Sequence, residues 1–145
     1  MAKRRQAVKT VFVDSSVLFT ATNSPTGGSA KLFTIKEIKL LVSPWVLTET
    51  ERNVRAKLHE YHLERFFNLV GQTQIFKAQF DIKLLQKAQR FIAQKDAVIL
   101  AEAKLSKSDF LVTLDRKDFL NEKVAKFLKP AIALTPKDLI SELTL

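Results

Sequence analysis

Asp14 directly follows the apolar run Lys9-Thr-Val-Phe-Val13, and Asp115 directly follows Phe110-Leu-Val-Thr-Leu114. Asp96 stands at the head of the apolar stretch Ala97-Val-Ile-Leu-Ala101, and Glu49 lies one turn into the segment that Pro44 opens. Carboxylates in such places suit two kinds of work. Singly, an Asp between a strand and a helix is a good N-cap, because its side chain satisfies orphan N–H groups. Asp14, Asp96 and Asp115 all qualify, and Glu49, near a helix start, is favoured by the helix dipole. Together, carboxylates gathered at one edge of one sheet would repel one another and raise one another's pKa unless a divalent cation neutralised them. Hard oxygen donors of this kind suit Mg²⁺ or Mn²⁺, and the chain has no Cys to point to a softer metal.

The elements that must position these residues alternate. Lys9 to Val13 reads as a strand and Ser15 to Ala21 as a helix, stopped by the loop-like Thr22-Asn-Ser-Pro-Thr-Gly-Gly-Ser29. Ser29 is expected to cap a helix with Leu32, Phe33, Ile35 and Ile38 as its apolar stripe. Leu40 to Ser43 reads as the second strand, and Pro44 opens a helix, where its missing N–H costs nothing. That helix carries Trp45, Val46, Val54 and Leu58. A helix over Tyr61 to Val70 closes at Gly71, and Gln74 to Lys77 is a third strand. Ile82, Leu85, Ala88 and Ile92 mark another helix, and Asp96 starts the most apolar one. Phe110 to Leu114 and Ala131 to Leu134 are the last strands, before a helix over Pro136 to Leu143 capped by Thr135. This alternation predicts an α/β three-layer sandwich with a mostly parallel central sheet. Residues 1–8 read as a basic, flexible tail and residues 9–145 as a single domain. In such sheets function sits at the carboxyl ends of the strands, where Asp14 and Asp115 lie.

Composition bounds the rest. A chain of 145 residues buries enough surface, roughly 68–70% of what its unfolded form exposes, to fold without a disulfide or structural metal. The absence of Cys excludes a disulfide scaffold, a zinc ribbon, a thiol nucleophile and an iron–sulfur site. Lys and Arg number 24 against 15 Asp and Glu, a formal charge of +9 that attracts polyanions at long range but fixes no chemistry. No apolar stretch approaches the roughly 18 residues of a membrane span. The basic Met1-Ala-Lys-Arg-Arg-Gln is not followed by the apolar run of a signal peptide, so a cytoplasmic protein is expected.

Four segments carry a family resemblance. Val11-Phe-Val-Asp14-Ser-Ser-Val-Leu-Phe19, Leu41-Val-Ser-Pro-Trp-Val-Leu-Thr-Glu49, Lys95-Asp96-Ala-Val-Ile-Leu-Ala-Glu-Ala103 and Asp109-Phe-Leu-Val-Thr113-Leu-Asp115-Arg-Lys-Asp118 resemble, in order, the signature blocks of the PIN-domain family. The likeness runs from about residue 9 to about residue 138 and is strongest to the small prokaryotic members, which include the VapC toxins of toxin–antitoxin pairs. The resemblance implies a Mg²⁺- or Mn²⁺-dependent endoribonuclease acting on RNA, with a possible cognate antitoxin and a homodimer as partners. It implies Asp14, Glu49, Asp96 and Asp115 as the catalytic carboxylates, with Asp14, Asp96, Asp115 and the accessory Asp118 on the metal and Thr113 in support. Glu51 rivals Glu49, since two residues apart on a helix they cannot both face one site; Glu102 ranks lower, and Asp109, at the amino end of its strand, is left out. Leu114 stands where many members carry Gly. An acidic pocket repels RNA, so basic residues must flank it; Arg52, Arg55, Arg116 and Lys117 are the candidates, each equally readable as a solvated surface charge.

Other motifs are set aside. Gly27-Gly-Ser-Ala-Lys31 lacks the spacing of a phosphate loop and reads as a turn opening a helix, and His59-Glu-Tyr-His62 lacks the further ligands of a zinc site. Phe66 and Phe67 read as core rather than a base-stacking platform. The competing functional readings are a catalytically silent RNA-binding or interaction module in an RNA-processing complex and, more weakly, a nuclease acting on DNA flaps.

Overall fold

The computed structural model describes residues 8–143. The basic segment expected over residues 1–8 therefore falls, but for Val8, outside the described residues. Five strands, β1 (Lys9–Val13), β2 (Ile38–Val42), β3 (Gln74–Ile75), β4 (Phe110–Val112) and β5 (Ile132–Leu134), form one sheet of order β3-β2-β1-β4-β5. Every pairing is parallel, so each return needs a helical crossover. The crossovers supply α1 (Ser15–Asn23), α2 (Gly28–Lys31), α3 (Pro44–Lys57), α4 (Tyr61–Val70), α5 (Ile82–Gln89), α6 (Gln94–Leu105), α7 (Arg116–Phe119) and α8 (Glu122–Leu128), and α9 (Pro136–Leu143) comes after the last strand. The expected α/β sandwich with a parallel sheet is the architecture found. Central strands covered on both faces read as unbroken apolar runs, and Val11, Phe12, Val13, Leu111 and Val112 are fully buried.

The chain lays β2 and β3 on one side of β1, then crosses to place β4 and β5 on the other. The order reverses between β1 and β4, which opens a crevice beyond their carboxyl ends. Asp14 and Thr113 are the first residues beyond those two strands.

Several boundaries differ from the sequence expectation for local physical reasons. Ser29 does not cap a helix: Gly27 takes the cap position of α2, and Ser29 is buried inside it. A 3-10 turn over Leu32–Thr34 ends that segment, and Ile38 joins β2 opposite Lys9. Ser43 leaves β2 to cap α3, accepting from the Val46 N–H at 3.1 Å with Pro44 at the helix start. Trp45, on α3 as expected, is 44% exposed. Phe66 is core but Phe67 is half exposed, because neighbours on a helix point about 100° apart. The third strand holds only Gln74–Ile75, and α5 stops at Gln89, short of Ile92. The fourth strand ends at Val112 rather than Leu114, since the Leu114 N–H turns to the Ser16 hydroxyl at 3.1 Å instead of a ladder carbonyl. Two short helices, α7 and α8, fill the β4–β5 connection, where no element was expected. Thr135 caps α9 as expected, accepting from the Asp138 N–H at 3.2 Å.

Ser43 does two jobs, because its hydroxyl also donates to Glu102 Oε1 on α6 at 2.7 Å. Burial pushes the Glu102 carboxyl above its usual range, against the stabilising bond from Ser43. Ser43→Ala removes a helix cap and strips a half-buried carboxyl of its partner. We expect a loss of about 1–2 kcal/mol in urea unfolding, with an unchanged m-value.

Candidate active site

Asp14 occupies the N-cap position of α1, yet its side chain makes no capping bond. It is only 3% exposed. Its Oδ2 accepts instead from the Ser16 hydroxyl at 2.6 Å and the Thr113 hydroxyl at 2.8 Å. The same two hydroxyls reach the segment after β4: Thr113 Oγ1 accepts from the Asp115 N–H at 3.1 Å, as Ser16 Oγ does from Leu114. Asp14's own N–H donates to the Val112 carbonyl at 3.0 Å. The ends of β1 and β4 are thus tied together around one carboxylate.

The other acidic residues are held differently. Asp115 is a true cap, accepting from the Asp118 N–H at 3.0 Å, which sets Asp118 on the first turn of α7. Asp96 is not a cap; it is the third residue of α6, after Ala93 in the cap position. Glu49 accepts a hydrogen bond from the Ser15 hydroxyl, which joins α3 to α1. Of the three Asp residues that could have been caps, only Asp115 spends its side chain on one.

The five carboxylates of Asp14, Glu49, Asp96, Asp115 and Asp118 line a single cleft of about 280 Å³, with Ser15, Ser16, Phe19, Asn53, Lys57 and Lys95. Carboxylate oxygens of Asp96, Asp115 and Asp118 lie within 4.8 Å of one another. A larger hollow of about 1020 Å³ between α8 and β5 is lined mostly by apolar side chains and holds none of these carboxylates.

The structure also decides between the rival glutamates, placing Glu49 in the cleft while Glu51 pairs with Arg55 at 3.0 Å on the exposed flank of α3. Glu102 is outside the cleft, bonded to Ser43. Arg52, Arg55, Arg116 and Lys117 do not line it. Arg52 is exposed on α3, Arg55 is engaged by Glu51, and Arg116 and Lys117 lead α7 with exposed side chains. The basic groups in the cleft are Lys57 and Lys95, which the sequence reading did not single out. A signal for them existed: Glu49, Asn53 and Lys57 recur every four residues along one helix face, and Lys95 adjoins Asp96.

The PIN-domain family model matches residues 11–126, most of the chain. The chain belongs to the PIN-domain family. Solved structures agree in fold. VapBC2 from Rickettsia felis, bound to a DNA fragment from its promoter, superposes with a TM-score of 0.65 at 17% identity, over 87% of this chain and 98% of that one. PAE2754 from Pyrobaculum aerophilum gives 0.63 at 20% identity, over 94% and 90%. VapBC-1 from nontypeable Haemophilus influenzae gives 0.62 at 14% identity, over 88% and 98%. No curated protein matches in sequence.

The electrostatics of this PIN domain fit a cation. Burial pushes the Asp14 carboxyl above its ordinary value, although Ser16 and Thr113 stabilise its charge. Asp96 is pushed up to about 6, first by burial and then by the charge of Asp14, with Asp115 and Asp118 adding to it and Lys95 opposing. Among the described residues no ion pair engages any of the five, the one found being Arg55–Glu51. Buried like charges without a counter-ion are costly, and an all-oxygen donor set suits Mg²⁺ or Mn²⁺.

Proposed function

We propose that this PIN domain is a Mg²⁺- or Mn²⁺-dependent endoribonuclease whose catalytic carboxylates are Asp14, Glu49, Asp96 and Asp115. The observation that carries the reading is the meeting of these carboxylates and Asp118 in one cleft of a chain with a formal charge of +9. Asp96, Asp115 and Asp118, whose oxygens lie within 4.8 Å of one another, would hold the metal, with Asp14 completing the donor set. A divalent cation there supplies neutralisation of the phosphate and a lowered pKa for a water.

The chain's own residues do the positioning. Ser16 and Thr113 fix Asp14 Oδ2, while Oδ1 has the Ser15 hydroxyl beside it at 3.5 Å. The bond between Ser15 and Glu49 fixes the opposite wall, where Glu49 can take a proton from the attacking water. Lys57 and Lys95 offset the repulsion between RNA and the carboxylates and draw the scissile phosphate in.

The VapBC proteins of Rickettsia felis and Haemophilus influenzae share this fold, which supports a toxin role with a cognate antitoxin as partner; a cytoplasmic location and a homodimeric assembly belong to the same proposal. Purified protein should cut single-stranded RNA with Mg²⁺ or Mn²⁺ and stop when a chelator is added. Asp14→Asn should lower the rate by on the order of 100-fold or more. Cleavage indifferent to both the chelator and Asp14→Asn would sink the reading, and metal-independent binding of RNA without cleavage would favour a silent binding module.

A further inference from the structure

We propose that Phe19, Asn53 and Lys57 form a nucleobase subsite beside the carboxylates, in which one RNA base stacks on Phe19 and has its edge read by Asn53. The inference rests on the ribonuclease reading and names which part of the substrate the cleft grips besides its phosphate.

All three side chains line the same cleft as the carboxylates. The hydrogen bond from Ser15 to Glu49 sets α1 against α3 at the level of the acidic residues. One turn further along α1 lies Phe19; one turn further along α3 lies Asn53, and the next turn brings Lys57. The Lys57 Nζ sits 5.9 Å from the Phe19 ring centroid, on the ring's face. Phe19 is only partly buried: part of it packs on the core and part faces the cleft. Asn53 is likewise half-buried, and its amide makes none of the side-chain hydrogen bonds found among the described residues. A free amide presents one donor and one acceptor side by side, the pattern that matches a base edge.

The cleft therefore offers two unlike sets of side chains. The carboxylates suit a cation and the phosphate it neutralises. The second set offers an apolar ring, an amide and an ammonium, which suit a neutral planar base joined to an anionic backbone. At about 280 Å³ the cleft is at the small end of the roughly 300–1,000 Å³ typical of small-ligand sites, which fits one nucleotide unit and not a duplex. The plainer alternative is that Phe19 merely seals the edge of the core. A leucine would seal it as well but could not stack, whereas a tryptophan could.

The test compares a fluorescein-labelled, mixed-sequence single-stranded RNA with the same strand made abasic, by anisotropy in EDTA, for wild type, Phe19→Leu and Phe19→Trp. Cleavage positions on the intact RNA with Mn²⁺ are then mapped for wild type and Asn53→Ala. Wild type should bind the base-bearing strand roughly 5- to 150-fold more tightly than the abasic one, the worth of one base–aromatic stack. Phe19→Leu should lose that difference and Phe19→Trp keep it, while Asn53→Ala should change which bases flank the cuts. Metal-dependent cleavage by wild type with equal binding of both strands, or with the full difference surviving in Phe19→Leu, overturns the subsite and leaves the ribonuclease reading standing. An unchanged base preference in Asn53→Ala overturns the edge-reading role. Failure of wild type to cleave RNA with any metal brings down the ribonuclease reading and the subsite with it.

Discussion

Replacing Asp96 with Asn is expected to abolish RNA cleavage and, in the same protein, to raise the melting temperature measured in EDTA at pH 7.5. The two effects share one cause. Asp96 is mostly buried and shares its cleft with four other carboxylates, and its pKa is pushed up to about 6 by burial, then by Asp14, Asp115 and Asp118. Holding it ionised at pH 7.5 opposes folding: the rise from 3.8 to about 6, reduced by the water that screens the open side of the cleft, corresponds to a penalty on the order of 1–3 kcal/mol. Asn keeps the shape and removes the charge. For a chain of 145 residues the gain should appear as a rise of several degrees in the melting curve. The same substitution deletes a proposed metal ligand, so the rate should fall by on the order of 100-fold or more. Stability given up to gather charge at a site is the usual sign of a functional constellation. A variant that melts lower than wild type without metal, or that still cleaves, speaks against this account of the cluster.

Much of this arrangement was legible in the residues. Asp14 and Asp115 could be found because the apolar runs before them are long, and the strands of a parallel sheet deliver their next residues to one common edge. The strand ends themselves were blurred. Thr113 and Leu114 continue the apolar pattern of β4, but their polar groups are taken by Asp14, Asp115 and Ser16. Whether Glu49 or Glu51 faces the cleft depends on the rotational phase of α3, which a two-residue spacing cannot supply; the Ser15 and Arg55 contacts supply it. Glycine and serine misled at α2, where Ser29 looked like a cap and Gly27 holds that place. The helices α7 and α8 are four and seven residues long, too short to establish a period. Ser16 went unread as a partner of Asp14 because a contact between neighbours on a tight strand-to-helix turn leaves no spacing pattern.

The dependence on pH should run opposite to ordinary acid denaturation. A carboxyl whose pKa is higher in the folded state than in the unfolded state binds protons more tightly when native. Between about pH 4 and pH 6 the folded chain therefore holds Asp96's proton when the unfolded chain does not, and the stability contributed by this group falls as pH rises through that window. Asp14 and Glu102, also raised chiefly by burial, push in the same direction. The whole-chain curve includes the formal charge of +9 as well, whose self-repulsion grows as carboxylates elsewhere are protonated. The clean readout is thus the difference between wild type and Asp96→Asn in EDTA. It should approach zero below about pH 3, where Asp96 is neutral in both states, and reach its full size above about pH 7. Added Mn²⁺ should reverse the penalty in wild type, because metal binding needs the deprotonated ligands that the empty cluster resists forming. At a concentration 100 times its dissociation constant the ion contributes about 2.7 kcal/mol. That stabilisation should be large at pH 7.5 and small at pH 5. A thermal shift of equal size at both pH values would place the ion elsewhere on the protein, and a wild-type-to-variant difference that grows on acidification would contradict the raised pKa of Asp96.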